Sequence, residues 1–126
     1  MTYGYPLTPK DEPIIIFRND NPWQHRFAPG MDDGGRWLGV PPGSSARMQI
    51  RHYDGAPGPP ILEAAMSVDM WNVIAVISRA QIATIPTLSE PGCPDTFRYD
   101  VLLTVPDVGE NVAFYGNATV YPGVTG

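Results

Sequence analysis

The sequence predicts an all-β protein: an antiparallel β-sandwich of about seven or eight short strands with one short helical turn. The chain has 13 glycines and 15 prolines among 126 residues, and this abundance favours many turns and excludes long helices. Several runs alternate apolar and polar residues, which is the period of a half-buried strand. Clusters of turn residues separate these runs at short intervals, as they do in sandwiches.

The first residues predict an extended arm in front of one domain. Residues 1–13 contain Pro6, Pro9 and Pro13 and mixed charges, a composition that favours an extended segment over a core element. We therefore divide the chain into an arm at residues 1–13 and a single sandwich domain at residues 14–126. Glycine- and proline-rich loops are expected between the strands of this domain.

The strands follow from the periodicity of the side chains. The run at residues 46–53 alternates strictly between apolar and polar faces and predicts a half-buried strand. The run at residues 71–78 is apolar on both faces and predicts a central strand covered on both sides. Residues 79–85 are the only predicted helical segment, which Pro86 ends. Strands are predicted at residues 14–17, 23–28, 37–40 (a short edge segment), 46–53, 61–65, 71–78, 97–105 and 112–121.

Charge and hydropathy exclude two classes of partner. The formal net charge is −5, whereas a nucleic-acid-binding domain normally carries a face rich in Lys and Arg. The most apolar run, at residues 73–77, is far shorter than the roughly 18 residues that a membrane-spanning helix needs. No basic segment followed by an apolar stretch, typical of a signal peptide, is visible at the N-terminus. We expect no nucleic-acid partner and no membrane partner.

The residue types that carry catalysis do not form a recognisable site. His25 and His52 lack a second ligand at metal-binding spacing. Cys93 is the only cysteine, so no disulfide forms within the chain. Asp32 and Asp33 precede two glycines but do not follow the alternating pattern of a calcium loop. The sequence therefore predicts no enzyme, with no catalytic residue, no metal site and no cofactor.

Large aromatic side chains are the remaining candidates for binding. Trp71 is expected in the core, because it begins the apolar run of the central strand. Aromatic residues of this kind occur in cores and in interfaces alike. Four others lie in the arm, beside a glycine-rich turn or next to a proline, and are better candidates than Trp71 for contact with a partner. These predicted contact residues are Tyr3, Tyr5, Trp37 and Tyr121.

Several short motifs occur in an order that resembles a known family. The chain carries an apolar strand running into an Asn-Asp turn and a Trp, the run Ala-Arg-Met-Gln-Ile-Arg, and a strand bearing Glu. A helical turn ending in Ile-Pro, the run Tyr-Asp-Val and a final strand followed by Pro-Gly-Val-Thr come next. These motifs lie at residues 14–23, 46–51, 61–63, 85–86, 99–101 and 116–125. Their order resembles the small β-sandwich proteins of tailed bacteriophages that are related to the N-terminal domain of phage baseplate upper proteins.

The resemblance covers nearly all of residues 14–125 and implies a function. It implies a non-catalytic Ig-like sandwich, located in the virion, that docks on other phage proteins of the capsid, neck or tail. It also implies several copies or a homo-oligomer in the particle. The segments at residues 28–43 and 55–60 depart from the family pattern. No large receptor-binding part follows residue 126, so a stand-alone virion component is expected.

A second interpretation remains open at this point. Aromatic side chains on the loops of a sandwich are suited to stacking on sugar rings. The chain is therefore alternatively a receptor- or carbohydrate-binding module of a phage tail or baseplate.

Overall fold

The computed structural model of the protein describes residues 8–18, 21–30 and 38–122, and within them it confirms an all-β fold. One helix and eight strands are present in these residues. The predicted edge segment at residues 37–40 forms no strand at residues 38–40. In chain order, the elements are β1 (Lys10–Asp11), β2 (Ile14–Phe17), β3 (Trp23–Phe27), β4 (Ser45–Arg51), β5 (Leu62–Val68), β6 (Val73–Ile77), α1 (Arg79–Ala83), β7 (Asp95–Val105) and β8 (Gly109–Tyr121).

The strands form one curled, mixed sheet with the order β1-β8-β7-β4-β5-β6-β3, and β2 also pairs with β8. A sandwich of two separate antiparallel sheets is not confirmed, for two reasons. First, β5 pairs with β4 through residues 62–64 and with β6 through residues 65–68, so it joins the two halves into one hydrogen-bonded path. Second, β1 and β2 run parallel to β8, whereas the other pairs are antiparallel.

The core lies inside the curl of this sheet. Phe27 on β3 packs with its ring 5.1 Å from that of Phe114 on β8 and 5.8 Å from that of Tyr99 on β7. These strands lie far apart in the sheet order, so the contact shows that the sheet curls over its own apolar face. The largest fully buried side chains are Phe27, Phe97, Phe114, Ile16, Met48, Ile50, Ile77, Val73, Val101 and Val120.

Side chains join the two edges of the curled sheet. Nε1 of Trp23 on β3 donates to the carbonyl oxygen of Ile15 on β2 at 2.8 Å. Nε2 of His25 on β3 lies 2.7 Å from Oε2 of Glu12, which follows β1. No backbone ladder pairs β3 with β1 or β2 in the described residues. The sheet is therefore closed at this seam by side chains.

The predicted N-terminal arm is partly incorporated into the sheet. Lys10 and Asp11 pair with β8, and the N–H of Glu12 donates to the carbonyl of Tyr115 at 2.8 Å. Gly116 permits this close approach, because a Cβ at its position would lie only 3.1 Å from the Glu12 carbonyl oxygen. The ordered sheet thus begins before the predicted domain boundary at residue 13.

Tyr99 ties the same segment to the core. Its hydroxyl donates to the carbonyl oxygen of Glu12. Burial, first of all, and the nearby acidic charges raise the pKa of Tyr99. The hydroxyl therefore stays protonated and available as a donor at neutral pH.

The central strand has one covered face instead of two. Val73, Ala75 and Ile77 of β6 are buried, while Val76 between them is exposed. Trp71 precedes the strand and is 49% exposed, so its predicted core position is wrong. The sheet encloses a single interior. Because successive side chains of a strand point to opposite faces, every second residue faces outward even on a central strand.

The predicted helical turn is confirmed as α1, and a capping box fixes its start. The side chain of Ser78 accepts from the N–H of Gln81, and the side chain of Gln81 accepts from the N–H of Ser78, both at 3.1 Å. Ile82 and Ile85 are buried and belong to the hydrophobic core. With five residues, this helix is too short to cross a membrane, and the described ranges contain no other helix.

Candidate interaction surfaces

The structure describes one of the four predicted contact residues. Tyr3, Tyr5 and Trp37 lie outside the described residues. Tyr121 is the last residue of β8 and is 37% exposed. Its ring stacks on that of Phe17, with the centroids 5.5 Å apart and the planes inclined by 27°.

Tyr121 belongs to a continuous apolar surface at the edge of the sheet. β2 buries Ile14 and Ile16 and turns Ile15 and Phe17 outward, where they are 52% and 50% exposed. Phe17 is the register partner of Tyr121 across β2 and β8. We call Ile15, Phe17 and Tyr121 the apolar patch.

Sequence reasoning missed the contribution of β2 to this patch. The signal was present: four consecutive apolar residues occupy positions 14–17. Because the side chains of a strand alternate between the two faces of the sheet, only two of these four can point into the interior. The other two must face outward, and Ile15 and Phe17 do so.

Arg18 holds the patch in place from the end of β2. Its backbone N–H donates to the carbonyl of Tyr121 at 2.9 Å. Its guanidinium donates to the carbonyl oxygens of Ile85 and Pro86, both at 2.9 Å, and lies 3.9 Å from Oδ2 of Asp95. A patch held on paired strands loses little conformational freedom on binding.

Asp95 completes this anchor as a buried carboxylate. It accepts from the N–H of Ser89 at 2.7 Å and from the N–H of Leu88 at 3.2 Å. The pKa of Asp95 lies below its usual range, mainly because the carboxylate accepts hydrogen bonds from Ser89. Leu88 and Arg18 lower the pKa further, and together these contributions outweigh the effect of burial, which raises it. The group is therefore ionised at neutral pH and fixes the segment beside α1 to the start of β7.

A second surface surrounds Trp71. Oδ1 of Asp69 accepts from the N–H groups of Trp71 and Asn72 at 2.8 and 2.7 Å, a local turn that holds the indole outside the sheet. Gly39 lies against this ring, since a Cβ there would be 3.5 Å from the indole. The result is a cleft of about 620 Å³ between the turn at residues 69–71 and the proline-rich segment at residues 39–44.

A third surface is polar and lies on the outer face of β4, β7 and β8. It is a cleft of about 570 Å³, and the loop at residues 53–58 forms part of its lining. We call it the polar cleft. Register partners on neighbouring strands line it in two rows: Gln49, Asp100 and Tyr115 form one row, and Arg51 and Arg98 form the other.

The two arginines of the polar cleft are held by hydrogen bonds within the protein. Arg51 donates to the carbonyl oxygens of Ala56 and Gly58, at 3.2 and 2.7 Å. Arg98 donates to Oδ1 of Asp54 at 3.0 Å and to the side-chain oxygen of Asn117 at 2.9 Å. Like charges directly opposite in a sheet repel each other, and these acceptors offset the repulsion.

Asp100 is the uncompensated group of the cleft. Its Oδ1 is covered by neighbouring atoms and has no hydrogen-bond donor within the described part of the chain. Burial, as the main cause, raises the pKa of Asp100, and the charges of Arg51 and Arg47 only partly oppose this. The carboxylate thus lacks the donors that buried carboxylates normally have.

The two histidines contact other side chains of the fold, whereas the cysteine is exposed. His25 pairs with Glu12, and the ring of His52 lies 5.8 Å from that of Phe97. Cys93 is exposed and free. Among residues 8–18, 21–30 and 38–122, no group of three or more His, Cys, Asp or Glu side chains is placed to hold a metal ion.

Comparisons with known proteins add no relative. No family model matches the chain, and no curated protein matches its sequence. The resemblance to small phage virion proteins is therefore an interpretation of the motif order.

Proposed function

We propose that this chain is a non-catalytic structural protein of a tailed-bacteriophage particle that docks on another virion protein through the apolar patch. The observation that carries the proposal is the patch itself: three large apolar side chains, each at least a third exposed, on two paired strands at a sheet edge. Contiguous exposed apolar surface of this kind marks interaction sites. The order of the sequence motifs supports the choice of a phage partner.

The patch has the composition of an interface centre. Aromatic residues are enriched among the residues that dominate binding energy, and truncating one such residue costs about 2 kcal/mol or more. Phe17 and Tyr121 are already stacked on each other, so docking does not need to order them. A stable interface covers about 800 Å² on each partner, so the neighbouring outer face of β8 at Thr119, the register partner of Ile15, belongs to the proposed contact.

Copies of the same chain in one particle strengthen such docking. A protein present in several copies contacts equivalent sites on its neighbours, so moderate affinity at each patch adds to a high overall avidity. The proposal therefore places the chain on the capsid, neck or tail of the virion in several copies.

The proposal is tested by incorporation into particles. In the phage that encodes the chain, Phe17→Ser should reduce the amount of this protein in purified particles, measured by mass spectrometry, by about 30-fold if affinity limits incorporation. Leu88→Ser is the matched control, because Leu88 is an apolar residue outside the patch that is 63% exposed, against 50% for Phe17. Circular dichroism of both purified variants checks that each is folded.

Two results would contradict the proposal. One is a wild-type protein that is absent from purified particles. The other is a folded Phe17→Ser variant that enters particles as well as the Leu88→Ser control does.

A further inference from the structure

We propose that the polar cleft binds a neutral saccharide, with Asp100 as the central hydrogen-bond acceptor. This inference is independent of docking through the apolar patch, because none of Ile15, Phe17 and Tyr121 is among the residues that line the cleft. Its volume of about 570 Å³ falls within the range typical of small-molecule sites.

Asp100 supplies the acceptor. The structure gives its carboxylate no hydrogen-bond donor in the described residues, and Oδ1 is covered. Asp100 is among the residues that line the cleft, so a ligand bound there lies beside its carboxylate. A sugar hydroxyl is a neutral donor that satisfies the carboxylate without requiring a second buried charge.

Arg51 and Arg98 supply oriented donors. Each guanidinium carries five N–H groups, and the intramolecular bonds of Arg98 use only Nε and Nη1. Those bonds fix the planes of both groups before a ligand arrives. Arg51 donates through Nη1 and Nη2 to Ala56, Gly58 and Gln49. Nε of Arg51 and Nη2 of Arg98 have no acceptor in the described residues and are the donors that we assign to the oxygens of a sugar.

Two tyrosines supply the apolar component that sugar recognition needs. Tyr53 at the rim of the cleft is exposed. Tyr115 also lines the cleft, with the guanidinium carbon of Arg98 5.9 Å from its ring centroid. Aromatic rings with a polar end pack well against ligands that present both C–H and O–H groups.

The charge balance favours a neutral ligand over an anion. Arg51 and Arg98 are matched by Asp54 and Asp100 in the lining of the cleft. Oδ1 of Asp54 already lies 3.0 Å from Nε of Arg98. A phosphate or sulfate would meet two carboxylates at the same site and be repelled by them.

The test is an NMR titration of the isotope-labelled protein with the methyl glycosides of glucose, galactose, mannose and N-acetylglucosamine. We expect saturable shifts of the Gln49, Asp100 and Tyr115 amides with at least one glycoside, at millimolar concentrations. Asp100→Asn keeps the shape of the side chain and should weaken binding about tenfold or more, because it removes a charge-assisted bond. Tyr53→Ala should weaken it as well.

Phe17→Ser is the matched control and should leave sugar binding unchanged, so this test fails or succeeds separately from the docking test. The proposal is overturned if none of the four glycosides gives a saturable shift with the wild-type protein. It is also overturned if binding survives in both Asp100→Asn and Tyr53→Ala, or if inorganic sulfate binds the cleft and the glycosides do not.

Discussion

At the scale of single residues, two aspartates on β7 have opposite environments. Asp95 accepts hydrogen bonds from Ser89 and Leu88 near the charge of Arg18, and its pKa is lowered from the ordinary value of 3.8. Its contribution to stability is present above that ordinary value and is lost as the pH falls through the lower value in the fold. Asp95→Asn should therefore lower the melting temperature at neutral pH, with the difference from wild type shrinking under acidic conditions.

Asp100 shows the reverse dependence. Burial raises its pKa above 3.8, so ionisation opposes folding and stability falls as the pH rises through the raised value. Asp100→Asn should raise the melting temperature at neutral pH, and the advantage should vanish at acidic pH, where the wild-type carboxyl is protonated. Thermal denaturation across this pH range checks both variants. A lower melting temperature for Asp100→Asn at neutral pH would show that the carboxylate has donors we have not identified.

At the scale of elements, the seam between β3 and the β1–β2 edge depends on side chains. Trp23→Phe removes the hydrogen bond from Nε1 to the Ile15 carbonyl, and the loss of that bond should lower the free energy of unfolding by about 1 kcal/mol. The phenyl ring is smaller than the indole, so the lost packing should lower it further. Hydrogen exchange should accelerate at the amides of Glu12 and Arg18, which bind β8 carbonyls at this edge. Trp71→Phe, at an exposed tryptophan outside the seam, is the control. Unchanged exchange at both amides in Trp23→Phe would contradict side-chain closure.

The positions of most strands can be predicted from the sequence alone, whereas their pairing cannot. Alternation placed β4, β7 and β8 to within three residues at each end, because the period of the side chains is a local property that burial on one face imposes. The way strands join is non-local, so the bridging by β5 and the parallel pairing of β1 and β2 could not be predicted from the same pattern. Trp71 was misplaced because the turn built by Asp69 overrides the apolar run that follows it.

The candidate surfaces could likewise be predicted from the sequence only in part. Tyr121 was predicted as a contact residue from its place before a proline, and the structure adds Phe17 and Ile15, which only the pairing of β2 with β8 brings beside it. The polar cleft had no sequence signal. Its residues come from three strands and one loop, and each of them taken alone is an ordinary polar residue on an outer strand face.

At the scale of the whole molecule, the curled sheet separates its stable interior from the surfaces that we propose for binding. The interior is closed by packing across the curl and by the side-chain seam. The apolar patch and the polar cleft both lie outside it, so substitutions there should alter binding more than folding. The turns that the abundant glycines and prolines supply frame the Trp71 cleft and the polar cleft.

The central claim is that the apolar patch docks this chain on another protein of a phage particle. Cryo-electron microscopy of the intact particles of the phage that encodes the chain tests it most directly. We expect several copies of the curled sheet on the capsid, neck or tail, with Ile15, Phe17 and Tyr121 covered by a neighbouring virion protein. Particles that lack the chain, or copies whose patch faces solvent while another surface makes the contact, would contradict the account.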